Sequence, residues 1–158
     1  MRKLDPRSRI FDAAFELFYK KGFHATGIGE ILERSKAYKK SYYKYFPNKS
    51  DLAKIYLKEK ENYYLIFIQE LGEKYINFEP FWNSWILFLK REINKKNYNG
   101  CPIANFSIQD GEEFRAQLNS FLSSWTSLLT SYLIKSVYKK RRFEENKVKE
   151  QTKKIMLL

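Results

Sequence analysis

The 158-residue sequence predicts an all-α protein, and three observations support this prediction. Apolar residues recur at the three- and four-residue spacing of an α-helix along most of the chain. No segment long enough to form a strand alternates polar and apolar residues. Glycine and proline are scarce, at 6 and 4 residues, which disfavours the frequent turns of a sandwich or barrel. With 44% hydrophobic residues, the chain can bury a core.

Four helices are predicted in the N-terminal part of the chain, at about 5–21, 27–35 and 38–45, and from 49 onward. Asp5 and Pro6 are typical of a helix N-terminus, and they begin the first helix. Thr26 is a good N-cap for the second helix. The third helix ends before Pro47, because proline disfavours helical geometry in the residue that precedes it. Asn48 then caps the fourth helix.

The remaining sequence continues the helical pattern. One helix is predicted over 78–93, and Gly100–Cys101–Pro102 marks a turn into another. A long helix is predicted over 112–138, with an apolar seam that steps by three and four residues and must face other helices. The seam consists of Phe114, Leu118, Phe121, Trp125, Leu128 and Tyr132.

The net charge of +12 is concentrated at the two ends of the chain. Residues 1–50 contain 12 basic and 5 acidic residues, whereas residues 51–134 contain 9 basic and 10 acidic residues. This asymmetry indicates a polyanionic partner, either nucleic acid or anionic lipid. A single cysteine is typical of a reducing compartment, and no apolar segment resembles a signal peptide or a bilayer span. We therefore expect a soluble, cytoplasmic protein.

Residues that could support catalysis are few and scattered. His24 is the single histidine and has no neighbouring acid or cysteine, and Cys101 has no recognisable base. The acidic cluster of Asp110, Glu112 and Glu113 is explained by the negative first turn of a helix. No metal-ligand spacing or glycine-rich phosphate loop is present. We expect no enzyme activity, metal or cofactor.

Two short helices separated by Ser35–Ala37 predict a helix-turn-helix, with the first helix as its support. In this arrangement the N-terminal residues of the second helix of the pair enter the major groove. Those residues are Tyr38, Lys39, Lys40, Ser41 and Lys44, and their side chains can donate to bases or phosphates. A lysine-rich solvated face is the alternative, but the charge coincides with the helix-turn-helix spacing and so favours DNA.

The segments "SRIFDAAFELFYKKGFHATGIGEI" and "YKKSYYKYFPNKSDL" resemble the DNA-binding domain of the TetR family of transcriptional regulators. "GEILERSKAYKKSYYKYF" resembles the QacR-like branch of that family, and "NGCPIANFSIQD" resembles a subgroup with a C-terminal Gly-Cys-Pro motif. The resemblance implies that Lys39, Lys40, Ser41 and Lys44 contact the groove. It assigns phosphate or backbone contacts to Thr26, Gly27, Tyr43, Tyr45 and Lys49, and it places Lys36 and Tyr38 in the same interface.

The same resemblance implies a DNA-binding domain over 1–50, with its helix-turn-helix at about 27–46, and a helical effector-binding and dimerisation domain over 51–158. It implies a homodimer that binds a palindromic operator in double-stranded DNA and is released, as a repressor, by a small-molecule effector. Aromatic side chains of the second domain either line a pocket for a flat or cationic ligand or form ordinary core. The candidates are Phe67, Tyr75, Trp82, Trp85, Phe88, Phe121 and Trp125.

The sequence departs from the family pattern at several positions. Lys36 replaces the usual turn glycine, Lys40 a common glycine and Tyr42 a usual leucine, and Gly29 lacks a side chain that often reads a base. The charged segment over 139–158 predicts that the last helices are degraded or truncated. A basic helical protein that binds anionic membrane or nucleic acid non-specifically through residues 135–154 is therefore the competing hypothesis.

Overall fold

A computed structural model describes residues 5–109, 112–136 and 145–156 of the chain. Within these ranges there are eight helices and no strand, which confirms the all-α prediction. The helices are α1 Pro6–Lys21, α2 Ile28–Ser35, α3 Lys39–Tyr45, α4 Lys49–Lys74, α5 Phe78–Ile93, α6 Pro102–Gln109, α7 Arg115–Ser136 and α8 Glu145–Met156.

Local capping interactions fix the ends of α1 and α4. The Asp5 carboxylate accepts hydrogen bonds from the Ser8 amide at 3.0 Å and the Ser8 hydroxyl at 3.1 Å. The Asp51 amide donates to Asn48 Oδ1 at 2.7 Å, while Asn48 Nδ2 donates back to Asp51 Oδ2 at 2.8 Å. At each helix one of these bonds satisfies a backbone N–H group that the first turn leaves free, and the other joins the two side chains. The predicted starts of both helices are confirmed.

The N-terminus of α2 differs from its prediction. Its N-cap is Gly27, which has no side chain to make a capping bond. The Thr26 hydroxyl instead donates to the Gly22 carbonyl at 2.7 Å, and the Thr26 side chain is completely buried. The prediction that Thr26 caps α2 is therefore wrong, because its hydroxyl satisfies a carbonyl at the end of α1.

The C-terminal helices follow the predicted pattern with two differences. Helix α5 has the predicted bounds, whereas α7 begins at Arg115 because residues 112–114 form a turn. The predicted end of α7 at residue 138 lies outside the described residues. The charged C-terminal sequence still forms a helix with a buried face, since Val148 and Thr152 are both at most 1% exposed.

The chain divides into two compact units. The first comprises the described residues of 1–60 and 99–117, and the second comprises those of 61–98 and 118–158. In the first unit the Tyr56 ring lies 5.3 Å from the Phe106 ring of α6, measured between centroids. The segment 99–117 therefore packs with the N-terminal helices. The functional division at residue 50 stays a prediction.

Candidate nucleic-acid interface

The turn between α2 and α3 places a lysine in left-handed backbone geometry. Lys36 has φ 50° and ψ 41°. Its amide donates to the Glu33 carbonyl, and the Ala37 amide donates to the Leu32 carbonyl, each at 3.2 Å. This pair of bonds is the Schellman arrangement, in which the left-handed residue is usually glycine. The turn therefore ends α2 in the geometry that glycine usually adopts. Because Lys36 has a Cβ, that geometry is strained.

Arg9 of α1 holds this turn from outside the helix-turn-helix pair. Its Nη1 donates to the Ser35 carbonyl at 2.8 Å and to the Lys36 carbonyl at 3.0 Å. Sequence reasoning missed Arg9, because a partner 26 or more positions away leaves no local spacing pattern. The guanidinium fixes the carbonyls of the turn and so the direction in which α3 leaves it.

The inner face of α3 anchors it to the first unit. Tyr42 and Phe46 are at most 1% exposed, so Tyr42 fills the buried position expected of leucine. The buried Tyr42 hydroxyl has no hydrogen-bond partner among the described residues. Burial raises the pKa of Tyr42 to about 12, because ionisation there would place a charge away from water.

The outer face of α3 carries most of the predicted groove contacts. Tyr38 is the N-cap of α3 and is 83% exposed. Lys39, Lys40, Tyr43 and Lys44 are exposed as well. Ser41 and Tyr45 are partly buried. The structure therefore gathers these predicted residues on one short helix, while their contacts with DNA stay predictions.

Lysines and tyrosines pair on this outer face. The Lys39 ammonium lies 6.0 Å from the centre of the Tyr43 ring, and the Lys44 ammonium lies 5.4 Å from that of Tyr45. Cation–π contacts of this kind restrain long side chains while leaving their charge exposed. The arrangement presents cationic and hydroxyl donors together, which suits phosphate oxygens.

Thr26 and Lys49 make internal hydrogen bonds that the resemblance did not imply. Thr26 is buried, so its side chain is not available to a DNA backbone, and Gly27 beside it is exposed. Lys49 Nζ donates to the carbonyls of Phe23 at 2.8 Å and Thr26 at 3.0 Å. The resemblance did not imply these bonds to the turn between α1 and α2, and the phosphate contact of Lys49 stays a prediction.

Ion pairs join the exposed surfaces of α1 and α2. Arg34 Nε donates to Glu16 Oε2 at 2.9 Å, and Lys20 Nζ donates to Glu16 Oε1 at 2.7 Å. These two cations lower the pKa of Glu16 to about 2, chiefly through the Arg34 hydrogen bond. Lys21 pairs with Glu30 in the same way. Glu16 of α1 and Glu30 of α2 are thus neutralised locally.

A second set of missed residues connects segment 99–117 to the end of α1. Asn99 Nδ2 donates to the carbonyls of Tyr19 at 2.8 Å and Lys20 at 3.2 Å. The Tyr19 hydroxyl accepts from the Asn99 amide at 2.8 Å and donates to the Gly100 carbonyl at 3.1 Å. Asn99 therefore caps carbonyls that the last turn of α1 leaves unpaired.

The predicted pocket aromatics of the second unit pack directly on one another. The rings of Phe67 and Phe88 stack at 4.0 Å between centroids, and Trp85 lies 5.4 Å from Phe88. Phe121 reaches the cluster through Trp125, at 5.2 Å. Tyr75 and Trp82 pack against its partly exposed side. In this conformation the seven side chains form hydrophobic core, so a ligand pocket among them stays a prediction.

Two clefts of the second unit are lined by other residues. The larger, of about 560 Å³, lies between α7 and α8 and is bordered by Leu122, Thr130, Ile134, Lys149 and Lys153. The smaller, of about 320 Å³, lies between α4 and α7 and includes Glu73 and Lys135. Neither cleft includes the predicted aromatics.

No group of three or more His, Cys, Asp or Glu residues is placed to hold a metal ion in the described part of the chain. Of the helices the structure describes, none is long and apolar enough to cross a membrane.

Known proteins with this sequence pattern are transcriptional regulators. A family model described as "Bacterial regulatory proteins, tetR family" matches residues 10–54. An uncharacterized HTH-type transcriptional regulator in the lacX 3' region of Lactococcus lactis is 30% identical over 146 residues, which cover 82% of this chain and 72% of that relative. The chain belongs to the TetR family.

The chain is also similar to a second HTH-type regulator and to solved structures. The uncharacterized HTH-type regulator YxaF of Bacillus subtilis is 46% identical over 50 residues, which cover 31% of this chain and 26% of YxaF. The reduced form of E. coli NemR superposes with a TM-score of 0.79 at 18% identity, covering 96% of this chain and 82% of NemR. A TetR-family regulator from Agrobacterium tumefaciens has a TM-score of 0.82 at 17% identity, with the same coverage of 96% and 82%. At these identities the solved structures establish the fold.

Membership of the TetR family fixes the general activity. Members are DNA-binding regulators of transcription and not enzymes, so this chain is a DNA-binding transcriptional regulator. The family match over residues 10–54 includes the basic α3 but does not reach residues 135–154, on which the competing hypothesis of a non-specific basic binder rests.

Proposed function

We propose that this TetR-family regulator is a cytoplasmic repressor that binds a palindromic operator as a homodimer and leaves it when a small molecule binds the second unit. One observation carries the proposal: α3 combines a buried anchor at Tyr42 with an exposed face of lysines and tyrosines. An anchored helix with exposed donors at its N-terminal end suits the major groove. A symmetric dimer of such helices reads a two-fold symmetric site.

Selection of bound DNA from a random pool tests the operator. The expected result is a consensus of two inverted half-sites, spaced by about one helical turn or a multiple of it. A single unrepeated motif would contradict the homodimer, and no enrichment would contradict sequence-specific binding. The subgroup assignments to the QacR-like branch and the Gly-Cys-Pro subgroup stay predictions that this selection does not address.

Substitution of α3 tests whether its exposed face makes the contacts. Lys39→Ala with Ser41→Ala should weaken binding to the selected duplex by about 1–3 kcal/mol, because each removes a donor to a base or phosphate. Fluorescence anisotropy at several salt concentrations measures this change. Lys90→Ala with Ser124→Ala is the matched control, since it removes the same side-chain types from the second unit. Equal losses in both double variants would contradict the assignment of α3.

Sedimentation with anionic phosphatidylserine vesicles addresses the competing hypothesis. A regulator of this kind should bind the selected duplex far more tightly than an unrelated duplex and should not sediment with vesicles at physiological salt. Vesicle binding together with equal affinity for both duplexes would favour the non-specific binder.

Effector binding is tested with tetraphenylphosphonium, an aromatic cation of the class that the aromatic cluster of the second unit would accept. Quenching of Trp85 and Trp125 fluorescence and a fall in DNA anisotropy at the same concentration are the expected results. Quenching without DNA release would contradict derepression by this class of ligand, because release requires tighter binding to the DNA-free state.

A further inference from the structure

We propose that Arg7, in the first turn of α1, binds a DNA phosphate and so extends the DNA interface beyond the helix-turn-helix. Arg7 is exposed, and its guanidinium carbon lies over the Phe46 ring, 5.9 Å from the ring centre. Phe46 is the C-cap of α3 and is 1% exposed, so Arg7 covers the ring that anchors the end of this helix. The fold thus places a cation of α1 beside the C-terminal end of α3.

Arg7 lies at the end of a row of cation–aromatic contacts along α3. The Lys44 ammonium lies 5.4 Å from the centre of the Tyr45 ring, and the Tyr45 ring lies 6.5 Å from the Phe46 ring. Cations therefore follow α3 as far as its C-terminal end, where the last one comes from α1. In a homeodomain, the C-terminal end of the recognition helix contacts the DNA backbone. A cation at this end of α3 is accordingly suited to a phosphate and not to a base edge.

Arg7 differs from the other cations of α1 and α2 in its partners. Arg9 donates to the carbonyls of the α2–α3 turn, and three more cations form ion pairs with Glu16 or Glu30. These three are Lys20, Lys21 and Arg34. The Arg7 guanidinium has no hydrogen bond or ion pair among the residues that the structure describes. Its N–H groups are therefore available to an acceptor from outside the chain.

The immediate surroundings of Arg7 favour an external anion as that acceptor. The first turn of α1 contains no acidic side chain, and a cation there is unfavourable to the helix dipole, so Arg7 does not stabilise its own helix. The Asp5 carboxylate is close, but its two oxygens accept hydrogen bonds from Ser8. The N–H groups of a guanidinium point outward in its plane, and arginine uses two of them at once to bind a phosphate.

The salt dependence of DNA affinity tests this contact. Loss of one phosphate contact should reduce the slope of log affinity against log salt by about 0.9 per bound protomer. The variants are Arg7→Gln, which removes the charge, and Arg7→Lys, which keeps it. Arg91→Gln is the matched control, because Arg91 is exposed in the last turn of α5 in the second unit. The probes are the selected duplex and an unrelated duplex of the same length, so the result does not depend on the operator proposal.

Arg7→Gln should reduce the slope by about 0.9 per protomer on both duplexes and weaken binding about fivefold per protomer at physiological salt. Arg7→Lys should keep the slope of the wild type, and Arg91→Gln should keep both slope and affinity. A purely structural role over Phe46 would instead lower the urea midpoint of Arg7→Gln and leave its slope unchanged. An unchanged slope in Arg7→Gln would overturn the proposal, whatever its affinity.

Arginine labelling of the unsubstituted protein tests the same contact without relying on the folding of a variant. Phenylglyoxal modification read by mass spectrometry should be rapid at Arg7 in the free protein and slow on the duplex. Arg91 should be modified rapidly in both states. Arg9 should be modified slowly in both, because its guanidinium is bonded to the carbonyls of the α2–α3 turn. Equal modification of Arg7 with and without the duplex would overturn the proposal.

Discussion

Lys36→Gly should stabilise the protein, because Lys36 is the residue whose backbone is strained by its own Cβ. At φ 50° and ψ 41° the left-handed conformation costs a residue with a Cβ about 1–2 kcal/mol. Glycine removes this cost, but it adds about 0.5–1 kcal/mol of chain entropy to the unfolded state. At the middle of each range, the difference leaves a net gain of about 0.75 kcal/mol in the free energy of unfolding.

The strained geometry is retained because several interactions determine it together. The Schellman bonds fix the amides of Lys36 and Ala37, and Arg9 fixes the carbonyls of Ser35 and Lys36. All of these groups belong to the backbone or to another residue, so they survive substitution of Lys36. The gain in Lys36→Gly should therefore appear without any loss of the turn.

Urea unfolding followed by far-UV circular dichroism measures this gain as a higher midpoint with an unchanged m-value. In a thermal scan the same change raises the Tm by about 1–4 °C for a chain of this size. Lys36→Ala is the matched control, since it removes the same charge but keeps the Cβ. Equal stability of Lys36→Gly and Lys36→Ala would refute the strain, whatever either variant does to DNA binding.

Three further predictions concern other sites, and each is measured by urea unfolding. Tyr42→Phe should be about 1 kcal/mol more stable than the wild type at pH 7, because it removes a buried hydroxyl that has no partner among the described residues. The unfolded chain ionises near pH 10, whereas burial raises the pKa of Tyr42 to about 12, so the wild type loses stability between these values. The advantage of the variant should therefore grow by about 2–3 kcal/mol from pH 10 to 12, and a constant difference would contradict the burial argument. Asn99→Ala should lower the free energy of unfolding by about 1–2 kcal/mol, because it removes the donor to the last carbonyls of α1. Asn97→Ala, at an exposed position, should leave the free energy of unfolding almost unchanged. Phe88→Ala should lower the free energy of unfolding by about 3–5 kcal/mol if the Phe88 ring is part of the core. The matched change at the half-exposed Leu87, Leu87→Ala, should lower it by about 1 kcal/mol or less. A small effect for Phe88→Ala would instead mean that its ring borders an open ligand cavity.

Much of the fold was predictable because helix ends depend on neighbours in the sequence. Asp5 and Asn48 cap α1 and α4 because their side chains accept hydrogen bonds from the amides three positions later. Pro47 ends α3 because its ring clashes with the residue before it. The periodicity of the apolar residues likewise specified which faces of these helices are buried. These features need no knowledge of distant partners.

The candidate site was predictable only in part. The exposure of the lysines of α3 was expected from the helix-turn-helix arrangement, whereas the burial of Tyr42 and Phe46 was expected only from the family resemblance. The aromatic seam of the second unit was ambiguous, since the spacing that lines a pocket also builds a core. Stacking of Phe67 on Phe88 is what distinguishes the two arrangements, and stacking depends on the approach of different helices.

The sequence by itself determined the helices, the helix-turn-helix and the family, since all three depend on residue type and on the local spacing of residues. Tertiary structure alone decided the destinations of long or polar side chains. Lys49 reaches carbonyls 23 and 26 positions away, Thr26 turns inward to Gly22, and Arg9 crosses to the α2–α3 turn. The physical reason is that a donor binds whichever acceptor the folded chain brings within about 3 Å, and spacing in the sequence does not specify that acceptor.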